Sequence, residues 1–353
     1  MNQNNNFKFY PILALLLISI PSIFTINAYS INNINNNIEN YNLKYYDNII
    51  KNFLKHENFT INKIAIDSDN FNNIKPSSIK DIKDKIFKSN QINEPVDLYR
   101  IMRLISQFQI YPNSEVNNAC KVIDISKTPQ AHIEKEFKAL ILNSKMPSLG
   151  IRWLQDINRL KEVFPEIWAT VYNERNSPTH PEGTVFEHSM QSLDSSALLH
   201  YNNQQEKLIV MISALCHDLG KVDTTTCKYG KITSPGHASY GMIPTKNMLN
   251  RIIKDKKLIQ AIATLVKWHM DPVQFIRQSF DLDQYRKLAS DLNQESYGYV
   301  NISMLIKVSI ADKQARNPDI NVPLKKNIDW LDEFKNKAKE AGVLYKPYKK
   351  PII

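Results

Sequence analysis

Six of the chain's eight histidines fall between positions 180 and 269. They sit in short runs of metal-ligand residue types: H-P-E-G-T-V-F-E-H at 180–188, C-H-D-L-G-K at 216–221, P-G-H at 235–237, W-H at 268–269 and I-A-D at 310–312. Imidazole and carboxylate donors suit Mn, Fe, Co, Ni, Zn or Mg better than a thiolate-preferring metal. His188, His217, Asp218 and Asp312 make one set of four ligands. His237 and His269 either complete a second site or bind a phosphate. A divalent ion held there lowers the pKa of its water towards about 7 and neutralises charge on phosphoryl oxygens. Lys221 follows Asp218 by three residues, within reach to hold a phosphoryl oxygen or protonate a leaving group. Arg316, four residues past Asp312, suits the first of those tasks. Asp218, Lys221 and Arg316 are therefore the expected catalytic residues.

Helices must carry these side chains. Thr184 and Glu187 have capping-box spacing, so a helix is expected to start there with His188 in its first turn. The stretch 207–215 is almost wholly apolar, as in a helix buried on all sides. It delivers His217 and Asp218 at its end, where Gly220 is expected to stop it. Two polar side chains closing a buried helix are costly unless something satisfies them, and one cation satisfies both. A helix over about 256–270 ends with His269, and another over 301–311 presents Asp312.

Upstream, the apolar spacing turns helical from Pro95. Leu98, Ile101, Met102, Leu104 and Ile105 mark one face, with Arg100 and Arg103 on another. Further helices are expected at about 129–142 and 151–163, separated by Pro147-Ser148-Leu149-Gly150. Residues 59–66 alternate like a short strand. Asp67-Ser68-Asp69 after it reads as a solvated turn rather than a metal-binding pair. Residues 31–48 are Asn-, Ile- and Tyr-rich without a clear period and read as linker.

The first 30 residues look like an export signal: Lys8, an apolar run over 11–26, and Ala28-Tyr29-Ser30 as a small-x-small cleavage site. The run is shorter than the roughly 20 residues of a spanning helix and is interrupted by Pro21. The chain is then exported, periplasmic or secreted, or else held at the membrane by this segment. Without export it stays cytoplasmic. The net charge of +10 over 353 residues favours an anionic partner, although drift in a Lys-, Asn- and Ile-rich composition produces the same number. Three cysteines make no disulfide framework or metal knuckle, and all three read as structural. Of eight glycines the first is Gly150, which excludes a Gly-rich phosphate-cradling loop from the first 149 residues.

Together F-P-E (164–166), H-P-E-G-T-V-F-E-H-S (180–189), A-L-C-H-D-L-G-K (214–221), G-K-I-T-S-P-G-H-A-S-Y-G (230–241) and L-V-K-W-H-M-D-P (265–272) resemble one family. They are similar to the HD domain, an HD-superfamily phosphohydrolase fold, of bacterial CCA-adding tRNA nucleotidyltransferases and poly(A) polymerases. D-L-Y-R-I-M-R-L (97–104) and P-S-L-G-I-R-W-L (147–154) are similar to that family's neck. N-F-T-I-N-K-I-A-I-D (58–67) resembles the end of its catalytic head. The likeness covers about 58–318. It departs at the head: the family's glycine-serine turn and DxD pair are missing, and His56-Glu57-Asn58 stands where its nucleotide-reading R-R-D belongs. Pro244 falls inside the helix after His237, where the family has none, so that helix is expected to kink or start late.

The resemblance implies a predominantly all-α fold: a helical HD-domain bundle behind a helical neck and a short α/β remnant. The expected segments are 1–30 signal or anchor, 31–94 linker and degenerate head end, 95–172 neck, 173–318 HD domain and 319–353 basic tail. It implies a metal-dependent phosphohydrolase or phosphodiesterase acting on nucleotide or RNA-end phosphoesters, such as 2′,3′-cyclic phosphates, without nucleotide addition. A divalent metal is the implied cofactor, with tRNA and a second copy of the chain as implied partners. The alternative is a non-catalytic RNA-binding remnant, gripping phosphates through Arg100, Arg103 and Lys335, Lys337, Lys339, Lys346, Lys349 and Lys350. A solvated basic face is the plainer reading of the tail.

Overall fold

The computed structural model describes residues 92–109, 111–173, 183–229, 231–316 and 329–345. All of them fall in one compact unit, Ile79–Ile353. The signal-like segment, the 59–66 strand and Asp67-Ser68-Asp69 lie outside the described residues. Those described are 68 % helical with two short strands, the predominantly all-α fold expected. No helix among them is long and apolar enough to cross a membrane.

In chain order the first helices are α1 (Asp97–Phe108), α2 (Ser114–Val122), α3 (Gln130–Asn143), α4 (Ser148–Asp156), α5 (Leu160–Val163) and α6 (Pro165–Trp168). Next come α7 (Val185–Ala197), α8 (Gln204–Cys216), α9 (Lys221–Thr224), an antiparallel hairpin β1 (Thr226–Lys228) and β2 (Lys231–Thr233), and α10 (His237–Tyr240). The chain ends in α11 (Met242–Ile252), α12 (Lys256–Trp268), α13 (Asp271–Arg277), α14 (Leu282–Glu295), α15 (Ile302–Gln314) and α16 (Asp329–Glu340).

Polar caps set the starts of the long helices. Thr184 accepts from the Glu187 N–H, Asn203 from Glu206, Asp255 from Lys257 and Leu258, and Asn301 from Met304. Each satisfies an amide the first turn leaves open. Helix α8 is central, packed against α3, α7, α12 and α15. That explains its apolar composition: every residue from Leu208 to Cys216 is buried.

The neck helices pack on each other and on α7. Gly150 lets α4 approach α1 closely, since a Cβ there would lie 2.1 Å from the Met102 carbonyl oxygen. Ser106 Oγ accepts from the Gly150 N–H at 2.8 Å and donates to the Pro147 carbonyl at 3.0 Å. Asp194 of α7 caps α4, accepting from the Ser148 N–H at 2.9 Å and its hydroxyl at 2.5 Å.

Burial pushes the Asp194 carboxyl up to about 6, against the pull of those two Ser148 hydrogen bonds. A carboxyl raised above its ordinary 3.8 binds a proton more readily in the folded chain. Its contribution to stability is therefore full at low pH and lost as pH rises through about 6. The unfolding free energy of the native chain minus that of Asp194→Asn should fall by about 2 kcal/mol between about pH 4 and pH 7. Urea unfolding across that range checks this, and a pH-independent difference contradicts it.

Four expectations need correction. The helix expected at 151–163 is two helices, because Asn158 takes φ +60° and the Arg159 N–H closes back on the Leu154 carbonyl; asparagine tolerates that left-handed turn. Arg103 does not face solvent. It is 2 % exposed and pairs with buried Glu136 at 2.6 Å. Gly220 has φ −67° and serves close packing rather than a left-handed helix stop. The stretch expected as a basic tail contains α16, whose Leu331, Phe334 and Ala338 are buried, with Phe334 stacked near Tyr285 and Phe275. The late start after His237 does occur: α10 stops at Tyr240, and α11 takes Pro244 in its first turn, where the missing N–H costs no helical bond.

Candidate metal centre

Helix ends assemble the site. His217 and His269 cap the C-termini of α8 and α12, and Asp312 lies in the last turn of α15. Three helices thus turn their partly negative ends towards one place, a field that favours a cation. His188 comes from the start of α7, and His237 opens α10.

The imidazoles are oriented by the backbone. Nδ1 of His217 donates to the Ala214 carbonyl at 2.8 Å, Nδ1 of His269 to Val266 at 2.7 Å, and Nδ1 of His237 to Ser234 at 2.8 Å. A carbonyl can only accept, so the proton sits on Nδ1 and Nε2 carries a bare lone pair. This is how metal-binding histidines are usually fixed. These carbonyls, each three residues before its histidine, were not anticipated from sequence. For Ala214 and Val266 the signal was there, because the last carbonyls of a helix have no intrahelical partner; the Ser234 carbonyl lies in the loop before α10.

The donor atoms form two groups. His188, His217 and Asp312 make one and Asp218, His237 and His269 the other, with the atoms of each group within 4.8 Å of one another. Asp218 faces both. Its Oδ2 lies 3.2 Å from His217 Nε2 and 3.8 Å from His188 Nε2, and its Oδ1 lies 3.4 Å from His237 Nε2. His188 Nε2 is 2.9 Å from Asp312 Oδ1, and the Nε2 atoms of His237 and His269 are 3.3 Å apart.

These residues fit a divalent cation. Nε2 of His217 is buried and makes no hydrogen bond, a cost that bound metal removes. Burial drives the His217 imidazole well below its ordinary range, so it is neutral. Burial pushes the Asp312 carboxyl up, but the His188 hydrogen bond and the Arg316 charge outweigh it and hold the group well below the usual range. Neutral imidazole and ionised carboxylate are the states that bind metal.

Lys221 and Arg316 lie beside the same side chains. Lys221 Nζ lies 2.8 Å from Asp218 Oδ2, and Arg316 Nη2 lies 3.1 Å from Asp312 Oδ1. Of the other two histidines of the 180–269 cluster, His200 is exposed after α7 and His180 lies outside the described residues.

The chain is similar to curated proteins named multifunctional CCA protein. The one from Pasteurella multocida is 31 % identical over 139 residues, 38 % of this chain and 31 % of that protein. Those from Mannheimia succiniciproducens and Hahella chejuensis are 25 % and 26 % identical over 63 % and 60 % of this chain. The chain spans only part of them, 54 % and 50 % of the last two. No protein-family model matches. Their likeness supports kinship with the CCA-adding enzymes.

Gly220 secures α10 beside this cluster. A Cβ there would lie 2.1 Å from the His237 carbonyl and 2.5 Å from the Gly241 nitrogen. Gly220→Ala must therefore push His237 away. Its metal affinity, measured by competition with a chelating dye, should fall about 10- to 100-fold, the range seen when a ligand loses its support. Unchanged affinity would show that His237 is not a ligand.

Proposed function

We propose that the chain is a metal-dependent phosphohydrolase acting on nucleotide or RNA-end phosphoesters, 2′,3′-cyclic phosphates among them, and that it does not add nucleotides. The observation that carries this is Asp218, one carboxylate with an oxygen towards each of two histidine-bearing donor groups. His188, His217, Asp312 and Asp218 Oδ2 would hold one divalent ion; Asp218 Oδ1, His237 and His269 would hold a second. Ions so placed supply a water of lowered pKa and positive charge for the phosphoryl oxygens.

The chain's own residues do the rest. Asp218 fixes the Lys221 ammonium, whose positive charge would stabilise a phosphoryl or leaving oxygen. Arg316, anchored on Asp312, offers a guanidinium to a second phosphoryl oxygen. The buried walls of α7, α8 and α12 exclude bulk water and strengthen these interactions. The CCA relatives favour RNA 3′ ends, those of tRNA included, as the substrate class.

The test is the purified chain, stripped by chelator and reloaded separately with Mn, Ni, Mg or Zn. It should hydrolyse 2′,3′-cyclic AMP with at least one metal and incorporate no CMP into a tRNA lacking its 3′ end. CMP incorporation without hydrolysis would overturn the proposal.

A further inference from the structure

We propose that Tyr172, braced by Trp168 and joined by Lys161, is a platform for single-stranded RNA. It stacks a base of the strand whose 3′ end enters the metal centre. The platform rests on the phosphohydrolase reading for the end of the strand it serves, and its grip is measured apart from turnover.

The three side chains touch in a row. Lys161 of α5 sets its Nζ over the Trp168 ring at the end of α6, 4.4 Å from the centroid. Trp168 and Tyr172 meet edge to face, with centroids 6.0 Å apart and ring planes at 77°, a contact that fixes the Tyr172 ring before any ligand arrives. Trp168 is half-buried, whereas Tyr172 is 76 % exposed and Lys161 is exposed too. Exposed apolar side chains are ordinary one at a time. An open ring held by a second ring, beside an ammonium, is a pairing that suits single strands: the ring stacks a base and the cation meets a phosphate.

This row adjoins the metal centre. Asn173, next after Tyr172, donates from Nδ2 to the Lys221 carbonyl at 3.1 Å. Its own carbonyl accepts from the Val185 N–H at 3.1 Å. Lys221 Nζ lies 2.8 Å from Asp218 Oδ2, and Val185 opens α7 three residues ahead of His188. Tyr172 thus stands one residue away from contacts with both α7 and α9. A base stacked on it belongs to the strand leading into the site.

The charge on this face also favours a polyanion. Glu162 pairs with Arg159 at 2.7 Å and Glu166 with Arg251 at 2.6 Å, so the acids of α5 and α6 are matched within the fold. Among the described residues no carboxylate pairs with Lys161, and its charge is left for a phosphate.

Isothermal titration calorimetry on the Mn-loaded full chain compares adenosine 3′-monophosphate with the trinucleotide ApApAp. Both end in a 3′-phosphate, a product of opening a 2′,3′-cyclic phosphate, so neither is a substrate for that step. The trinucleotide should bind about tenfold more tightly, a gain of the size one stacked base supplies. Tyr172→Ala, at an exposed position, should cut the gain below about threefold and leave monophosphate affinity unchanged. Tyr172→Phe should keep the gain, since it keeps the ring. Lys161→Gln should lower the slope of log affinity against log salt by about 0.7 for the trinucleotide, the share of one phosphate contact. Equal binding of the two ligands would overturn the platform and leave this face to a protein partner. No binding of either, a gain that survives Tyr172→Ala, a gain lost in Tyr172→Phe, or an unchanged slope in Lys161→Gln would overturn it as well. Absence of cyclic-phosphate hydrolysis with this binding pattern intact would instead count against the phosphohydrolase reading.

Discussion

Asp218→Asn should abolish metal-dependent phosphoester hydrolysis, lowering turnover by on the order of 10³-fold or more, because the metal's share of transition-state stabilisation is several kcal/mol. The change keeps the shape of the side chain and removes its charge. Both donor groups lose by it, since Oδ2 faces His188 and His217 while Oδ1 faces His237. Lys221 also loses the partner that fixes it at 2.8 Å. Metal content by mass spectrometry should fall with activity, while circular dichroism and the urea midpoint should stay near those of the native chain. A variant that keeps both its metal and its turnover would show that Asp218 is not a shared ligand.

The second large effect concerns stability. Glu136→Ala should destabilise the fold by about 3–5 kcal/mol, the usual cost of leaving one charge of a buried pair without its partner. Glu136 is 3 % exposed and Arg103 2 %. The pair joins α1 to α3 at 2.6 Å, and Arg103 also donates to Gln107 at 2.7 Å. Replacing both residues with apolar ones of similar volume, Arg103→Met with Glu136→Leu, should recover most of the loss. Urea unfolding of the single and double variants measures both effects. A single variant within about 1 kcal/mol of the native chain would show that solvent reaches the pair after all.

The clustering of these histidines and aspartates was legible in sequence because they are scarce residue types in an otherwise ordinary chain. His217 and Asp218 closing an apolar helix already required a partner, and the run from Leu208 to Cys216 announced its own burial. The capping spacing of Thr184 and Glu187 placed the start of the helix that carries His188; the Asp255 and Asn301 caps were not read from sequence. Other features depend on what packs against what. Arg103 looks solvent-facing on a helical wheel until α3 brings Glu136 to it. Gly220 resembles a helix stop until α10 is seen pressed against its missing Cβ. Asn158 gave a weak signal for a left-handed break, and apolar spacing that continued through it masked that signal. The lysines around α16 hid an apolar face, of Leu331, Phe334 and Ala338, that is short but buried.

Arg100 and Arg103 are both engaged by carboxylates within the fold. Arg103 is consumed inside the fold, and Arg100 pairs with Asp97 at 2.8 Å and Glu94 at 3.5 Å. The fold therefore already uses both of the arginines expected to grip phosphates.

The most direct measurement is turnover of adenosine 2′,3′-cyclic phosphate by the chelator-stripped full chain during titration with Mn²⁺, with His217→Ala run in parallel. The expected result is no turnover in stripped protein, a saturable return as Mn²⁺ is added, and none at any concentration in His217→Ala. Turnover that persists without metal, or that His217→Ala matches, would contradict a hydrolytic metal centre built on these helix ends.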